Sequence, residues 1–577
     1  MTRRGRAALG AALVAGALAI PGAASAHAYL IKTFPVASAL LAVPPPAVAL
    51  TYDEAVEPRF AIISVTDKAG RQETTAAPTR SPADPDTLVV PLRAHLPQGW
   101  YLVYWRAISV DGHPVQGAFT FAIGPHPGQA PQFTVPHISQ TATTTPLLIA
   151  RWAMFLTVMS AIGLFFMRIA IARPAARRPA AAGLAPLTRA FALAAALGLV
   201  AVPVYLDEAT AIDSLRSFFA FGSLVPLFRV TAFGRGYVDL ELCFALFCAA
   251  AAVALWVDEP GRESRSIAEI LAGIGAAAAA AAVLIVPGAA GHAAQTAPRW
   301  LALILDWLHL LSGSVWIGGL IGLLVLWWSL PASRRVAALS ICVPRFSNVA
   351  LVSVAVLLGS GVWATVLHMP ILAALWRTAY GQTILVKAGL LSAAMLLGGV
   401  NLTRTRPRLL AARERPELGR PALSLLRRVV SGELALLVTA VLAAAVLSSL
   451  APPPPALAEE GSALAEVGPG RVATTLRHGA YTLRVLVDPN RAVAPNTFAV
   501  KITRDGVPVR GAQVTLTFAM LDMEMGDQEY ELTETAPGLY ARPAPALVMV
   551  GHWGLSFAVD PRGGEPFTAL IVDYAGG

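Results

Sequence analysis

The sequence predicts a multidomain membrane protein: an exported immunoglobulin-like β-sandwich, an eight-helix transmembrane bundle and a C-terminal exported β-sandwich. Three observations predict it. The 577-residue chain is 56% apolar and only 14% charged, with a mean hydropathy of +0.60. Soluble domains average about 25% charged, so much of this chain faces lipid. Eight apolar runs long enough to cross a bilayer fill the middle of the chain. Short alternating segments punctuated by Pro and Gly fill both flanks.

The N-terminus has the form of an export signal, assigned to residues 1–26. Arg3, Arg4 and Arg6 precede an apolar stretch from Ala7 to Ile20. Pro21 and Gly22 break it, and Ala24-Ser25-Ala26 supplies a small-residue cleavage site. An uncleaved first helix is the other reading, but the apolar core is shorter than the roughly 20 residues a span needs. Cleavage after Ala26 leaves His27 first, so one residue offers both an amine and an imidazole to a metal ion.

Residues 27–124 alternate as short strands do: Ala47–Tyr52, Phe60–Thr66, Leu88–Leu92, Gly99–Ser109 and Gly117–Ile123. Trp100, Tyr101, Tyr104, Trp105, Phe119 and Phe121 supply bulk for a core without cysteines. Asp111 and His113 lie two apart between the last two strands, so they leave one side of an extended segment. An Asx turn with a surface histidine fits the same residues. His95, in a turn, reads as a surface residue. The segment resembles the CopC family of periplasmic copper proteins. The matching residues are His27-Ala28, Leu50 to Glu57, Ser109 to Pro114, and Gly117-Ala118-Phe119-Thr120-Phe121. The resemblance implies a Cu(II) site made by the His27 amine and imidazole, Asp111 and His113. Tetragonal nitrogen and oxygen ligation suits Cu(II). No methionine occurs in 27–124, so a methionine-rich Cu(I) site, known in some relatives, is not expected there.

After a linker over 125–146, apolar runs follow at 147–171, 188–206, 237–257, 267–290, 300–330, 346–368, 380–402 and 429–450, within a membrane region of 147–450. The stretch 211–235, broken by Arg216, Arg229 and Arg235, reads as an interfacial loop. An exported N-terminus makes the loops after spans one, three, five and seven cytoplasmic. These loops hold Arg173, Arg177, Arg178 and Arg189; Arg262 and Arg265; Arg334, Arg335 and Arg345; and a cluster from Arg404 to Arg428. The outer loops hold only Arg216, Arg229, Arg235, Arg299 and Arg377. The positive-inside rule is satisfied at every loop, which puts both termini in the periplasm or outside the cell. This pattern also accounts for the net charge of +9 without a nucleic-acid partner.

Ionisable residues inside spans mark function by default. Asp306 and His309 are three apart on the fifth span and share a face that Gly313 and Trp316 continue. Asp306 is placed to orient the His309 ring, as carboxylates do for metal-bound histidines. His292, His368 and Lys387 fall in the same outer half. An Asp306–Lys387 pair that only holds helices together is the structural alternative. The region resembles the CopD family of copper membrane proteins. The resemblance rests on Gly291-His292-Ala293, Asp306 to Leu311, Trp316-Ile317-Gly318-Gly319, Phe346-Ser347, Thr378-Ala379-Tyr380-Gly381 and Lys387. It implies a membrane metal site with His292, Asp306, His309 and His368 as candidates.

A Pro/Ala-rich linker over 451–470 leads to a second alternating region, 471–577, with strands at Tyr481–Val487, Thr497–Thr503, Ala512–Ala519, Glu529–Thr535 and Gly554–Val559, and a hairpin signal at Asp505-Gly506. Met520, Met523, Met525, Met549 and His552 offer thioether and imidazole ligands for Cu(I), or core filler. Glu534 to Tyr540 and Gly551-His552-Trp553-Gly554 resemble the YtkA-like domain. Met523-Glu524-Met525-Gly526 stands where that family often has a Met-Pro-Met stretch.

Three cysteines, all in or beside apolar runs, exclude a disulfide scaffold, and no phosphate-binding loop supports nucleotide use. The expected function is capture of Cu(II) outside a bacterial inner membrane and its transfer to or across the bilayer, without catalysis. The expected partners are copper ions, lipid and a periplasmic copper chaperone or oxidase. A non-transporting chaperone for oxidase assembly and a haem redox protein remain the alternatives.

Overall fold

The computed structural model describes residues 30–127, 144–176, 184–213, 232–290, 298–450 and 463–576, apart from 37–38, 53–55, 57, 59–60, 109–113, 370–371, 373, 493, 522–527, 545 and 549–550. The predicted signal segment, His27, Asp111, His113, His292, Met523, Met525 and Met549 lie outside the described residues.

The N-terminal region is a two-sheet sandwich. One sheet has the order β1 (Leu30–Phe34), β3 (Ala47–Tyr52), β6 (Thr87–Pro91), β5 (Thr79–Arg80). The other has β2 (Leu40–Leu41), β8 (Pro114–Ile123), β7 (Gly99–Ile108), β4 (Ile62–Asp67). Period-two patterning decides which side chains enter the core: Val48, Leu50 and Tyr52 of β3 are buried, and Val103, Trp105, Phe119 and Phe121 meet them from β7 and β8. Tyr52 packs edge-on against Trp105 across the sandwich, ring centroids 5.7 Å apart. Gly117 faces Trp105 from β8; a methyl there would lie 2.8 Å from the indole.

Among the described residues, eight long helices cross the middle region: α1 (Thr145–Phe166), α2 (Ala185–Asp213), α3 (Ala232–Val257), α4 (Ile267–Ala290), α5 (Arg299–Ser329), α6 (Ala332–His368), α7 (Ala379–Val400) and α8 (Gly419–Leu447). All eight are long and apolar enough to span a membrane. Large apolar side chains such as Leu193, Leu242, Leu271, Val362 and Leu396 point outward, as a lipid-facing surface requires. In their most apolar stretches α5 is 72% buried and α1 is 67% buried, against 6% for α7. The bundle is therefore built around α1 and α5, which cross where Gly163 meets Ser314 and Gly318. Helix α6 begins at Ala332, well before the apolar run at 346, and carries Pro344 inside it. Its basic first turns extend the helix beyond the apolar run. Two helices continue as π-helical segments, Met167–Ala172 after α1 and Asn401–Thr405 after α7.

At the ends of α1, α3 and α4 that the charge pattern assigns to the cytoplasm, buried charges form one network. Arg173 binds Asp258 (2.7 Å) and Glu269 (2.8 Å), and Arg168 binds Asp258 (2.5 Å). Ser266 and Glu269 cap α4 reciprocally: the Glu269 N–H donates to Ser266 Oγ (3.2 Å) and the Ser266 N–H to Glu269 Oε2 (2.6 Å).

The C-terminal region is one ten-stranded sheet, ordered β10 (Val472–His478), β11 (Tyr481–Asp488), β12 (Asn496–Arg504), β16 (Leu539–Ala544), β15 (Gln528–Ala536), β14 (Gln513–Met520), β17 (Gly551–Asp560), β18 (Phe567–Ala575), β9 (Ala463–Val467). β13 (Val507–Pro508) pairs with β12 through the predicted hairpin turn, where Asp505 and Gly506 have φ of 50° and 83°. β15 pairs with both β14 and β16, and Phe498 of β12 packs on Phe518 of β14 at 4.7 Å, so the sheet folds over one core.

Asp573 on β18 is fully buried, and burial raises its pKa to about 6, opposed by the Asn490 amide that donates to it at 2.8 Å. Below its ordinary value of 3.8 the group is protonated whether the chain is folded or not. As pH rises from there to about 6 only the unfolded chain ionises, so stability falls, by a total on the order of 3 kcal/mol. Hydrogen exchange of β17 and β18 should therefore quicken across this window, beyond the intrinsic pH effect. Asp573→Asn should flatten the dependence; a variant as pH-sensitive as wild type would exclude Asp573 as its source.

Candidate metal centres

The N-terminal ligand candidates lie outside the described residues, but the strands that flank them are fixed. Leu30, three residues after His27, pairs with Tyr52 at the end of β3. Tyr52 packs on Trp105 near the end of β7, and Ile108 pairs with Pro114 on either side of the 109–113 connection. The start of β1, the end of β7 and the start of β8 therefore occupy one end of the sandwich. The Tyr52 hydroxyl at this end is buried with no partner among the described residues, and burial drives its pKa upward.

In the membrane region, α5 presents Asp306 and His309 between two neighbours. Gly288 of α4 lies so close to Asp306 that a methyl there would sit 2.6 Å from Oδ2. Gly361 of α6 leaves room for the His309 ring; a methyl there would approach Cε1 to 3.4 Å. Next to it, Ser360 Oγ is 3.0 Å from His309 Nδ1 and donates to the Val356 carbonyl at 2.8 Å. A hydroxyl has one proton to give; with that proton on the Val356 carbonyl, Nδ1–H donates to Ser360 and the neutral ring has its lone pair on Nε2. Histidines that bind metal through Nε2 are held in this way. The orienting group expected from sequence was Asp306; Ser360 occupies that role, 51 residues away on another helix. Lys387 of α7 acts electrostatically on both Asp306 and His309.

His368 stands apart. It lies eight residues beyond Ser360 on α6, about 12 Å along the axis, and its Nδ1 is 2.8 Å from the Ala364 carbonyl of its own helix. Among the described residues no group of three or more His, Cys, Asp and Glu is arranged to hold a metal.

The C-terminal candidates divide between the two faces of the sheet. Met520 is buried in the core opposite Trp553, whereas His552 is exposed on the other face, 4.9 Å from the Tyr574 ring. Sequence reasoning passed over Glu433 of α8. Its carboxylate is buried in the bundle core and accepts from Trp316 Nε1 (2.7 Å) and Asn401 Nδ2 (3.2 Å). The signal was available as a lone acid in an apolar run.

The CopC domain matches residues 30–124, Copper resistance protein D matches 341–447, and the YtkA-like domain matches 477–558. The second match takes in Phe346-Ser347, Thr378 to Gly381 and Lys387, while His292 and the Asp306–Gly319 stretch precede it. Copper transport protein CutJ of Bacillus subtilis (strain 168) is 26% identical over 541 residues, covering 92% of this chain and 93% of its own length. Copper resistance protein C of Escherichia coli is 33% identical over 106 residues, covering 17% of this chain and 83% of its own. The crystal structure of CopC from Methylosinus trichosporium OB3b is 30% identical, covering 18% of this chain and 98% of its own, with a TM-score of 0.16. From its ordered domains and these relatives, the chain belongs to the CopC–CopD fusion family of copper resistance and transport proteins, with a YtkA-like domain at its C-terminal end.

Proposed function

We propose that this multi-pass membrane protein captures Cu(II) outside a bacterial inner membrane and passes it to His309 in the outer half of the bundle, for entry into or across the bilayer. Capture uses His27, Asp111 and His113, and both β domains face the periplasm. The observation that carries the reading is the His309–Ser360 contact, which leaves Nε2 of an intramembrane histidine as a ready ligand. The flanks of the capture residues, brought to one end of the sandwich, support it.

Copper uptake into vesicles reconstituted with purified full-length protein tests it. His309→Ala should abolish uptake at equal protein level. Ser360→Ala should slow it about tenfold, since the partner that orients a metal-bound histidine contributes about 10–100-fold. One alanine added before His27 should weaken Cu(II) binding and remove one nitrogen ligand, the displaced amine, from the electron paramagnetic resonance spectrum. Normal uptake by His309→Ala would refute transfer through the bundle and confine copper to the exported domains.

A further inference from the structure

Glu433 is halfway along α8, about 21 Å from its first residue Gly419, and its side chain is 3% exposed. It has two hydrogen-bond donors and both are neutral, Trp316 Nε1–H and the Asn401 amide. Among the described residues no charged side chain is hydrogen-bonded to it. The charges on the helices around it are engaged elsewhere. Arg151 of α1 binds Tyr205, and Arg168 and Arg173 bind Asp258. On α5, Asp306 and His309 sit two to three turns further out with Lys387 of α7. Arg335 of α6 and Arg427 of α8 stack on Trp327, and Arg406 binds Asn348. Arg334, Arg345, Arg404, Arg408, Arg420 and Arg428 lie on helical segments toward the arginine-rich end of the bundle, away from Asp306 and His309. A buried carboxylate without a countercharge is costly, and taking up a proton removes the cost.

The partners suit both protonation states. Asn401 gives Nδ2–H to the carboxylate, and its own Oδ1 is buried with no hydrogen-bond partner among the described residues. When the carboxylate takes up a proton it becomes a donor and needs an acceptor. A half-turn of the Asn401 amide replaces Nδ2–H by Oδ1 and supplies one. Trp316 goes on donating to the other oxygen, now a carbonyl. Thr405, four residues further along the same π-helical segment, is fully buried and its Oγ1 is likewise unpartnered among the described residues. Two orphaned oxygens thus continue from Glu433 toward the arginine-rich end. Such π-helical turns concentrate at functional sites. On the other side, Trp316 shares its face of α5 with Gly313 and His309.

We propose that Glu433 is an intramembrane proton-binding site, taking up and releasing one proton with Asn401 as its two-state partner, and that this proton is exchanged against the metal that moves past His309. The exchange rests on the transport reading above; the proton site does not.

Infrared difference spectra of the metal-free, full-length protein in lipid nanodiscs, between acid and alkaline buffer, test the site. Beside the bands of Asp573 and the other carboxyls, one protonated-carboxyl C=O component should appear on acidification that is missing in Glu433→Gln, moved to a new frequency in Glu433→Asp, and shifted in Asn401→Leu. Identical spectra for wild type and a folded Glu433→Gln would overturn it, as would a Glu433→Asp spectrum without the band. In vesicles, an imposed pH gradient should change the rate of copper uptake by wild type and leave Glu433→Gln unaffected. Wild-type uptake indifferent to the gradient would overturn the exchange. A band without any wild-type copper uptake would instead overturn the transport reading and leave the proton site standing.

Discussion

Replacing Arg173 by methionine should cost the folded protein about 3–5 kcal/mol, the range for stranding a charge in a buried ion network. Arg173 is 2% exposed and bridges Asp258 and Glu269, and its Nη2 also donates to the Glu259 carbonyl at 3.1 Å. Methionine fills a similar volume and pairs with neither carboxylate. Asp258 keeps Arg168, whereas among the described residues Glu269 keeps only two backbone N–H groups, from Glu259 and Ser266. The monodisperse yield in mild detergent and the midpoint of a denaturant titration would both fall. Adding Glu269→Gln to the variant should recover part of the loss, because it removes the stranded charge. Wild-type stability in Arg173→Met would reduce this arginine to a topology signal.

Gly318→Ala should be almost as damaging, and Gly318→Leu should give no folded protein. A methyl group on Gly318 would fall within the backbone of Gly163 and Leu164, and one on Gly163 would fall on the Ser314 carbonyl. Overpacking typically costs about 1–3 kcal/mol when side chains can move aside. Here the obstacle is main chain, so α1 and α5 must separate and loosen the most buried pair in the bundle. Gly359→Ala on α6 is the matched control: nothing lies within 4 Å of its added methyl, and the gain in helix propensity is up to about 1 kcal/mol. If the two alanine variants unfold at the same denaturant concentration, the crossing is not the constraint that its geometry implies.

These two cases show what a sequence reading reaches. The period-two pattern places β3 at its observed ends, and hydropathy locates all eight spans, because both signals are local. Trp316-Ile317-Gly318-Gly319 is legible as a motif, but its reason is not. Gly318 clears the α1 backbone and Gly319 clears the Phe346 ring of α6, both distant in the chain. Arg173 is legible as a cytoplasmic charge; its carboxylate partners follow only from how α1, α3 and α4 pack. The same limit holds at the metal candidates. The spacing of Asp306 and His309 gives a shared face, while the group that sets the histidine tautomer comes from α6. Glu433 has no neighbour in sequence that hints at Trp316 or Asn401. In the YtkA-like region Met520 and His552 lie close to other candidate ligands in sequence, and strand alternation sends them to opposite faces.

Arg151, near the start of α1, reaches Ser448 and Ser449 just past the end of α8. Eight crossings return the chain to the side on which it entered, so both β domains are leashed to one point on the membrane face. At 3.6 Å per residue, the segments 128–143 and 451–462 reach at most about 58 and about 43 Å from that point. One domain confined to a hemisphere of such radius is present at a few millimolar as its neighbour experiences it, on the order of the effective concentration of a short tether. If both domains hold a metal ion, as proposed for the first, an ion released by either would be recaptured within the same molecule unless a free carrier reached comparable concentration. Such exchange would be first order, and its rate should not change when the protein is diluted.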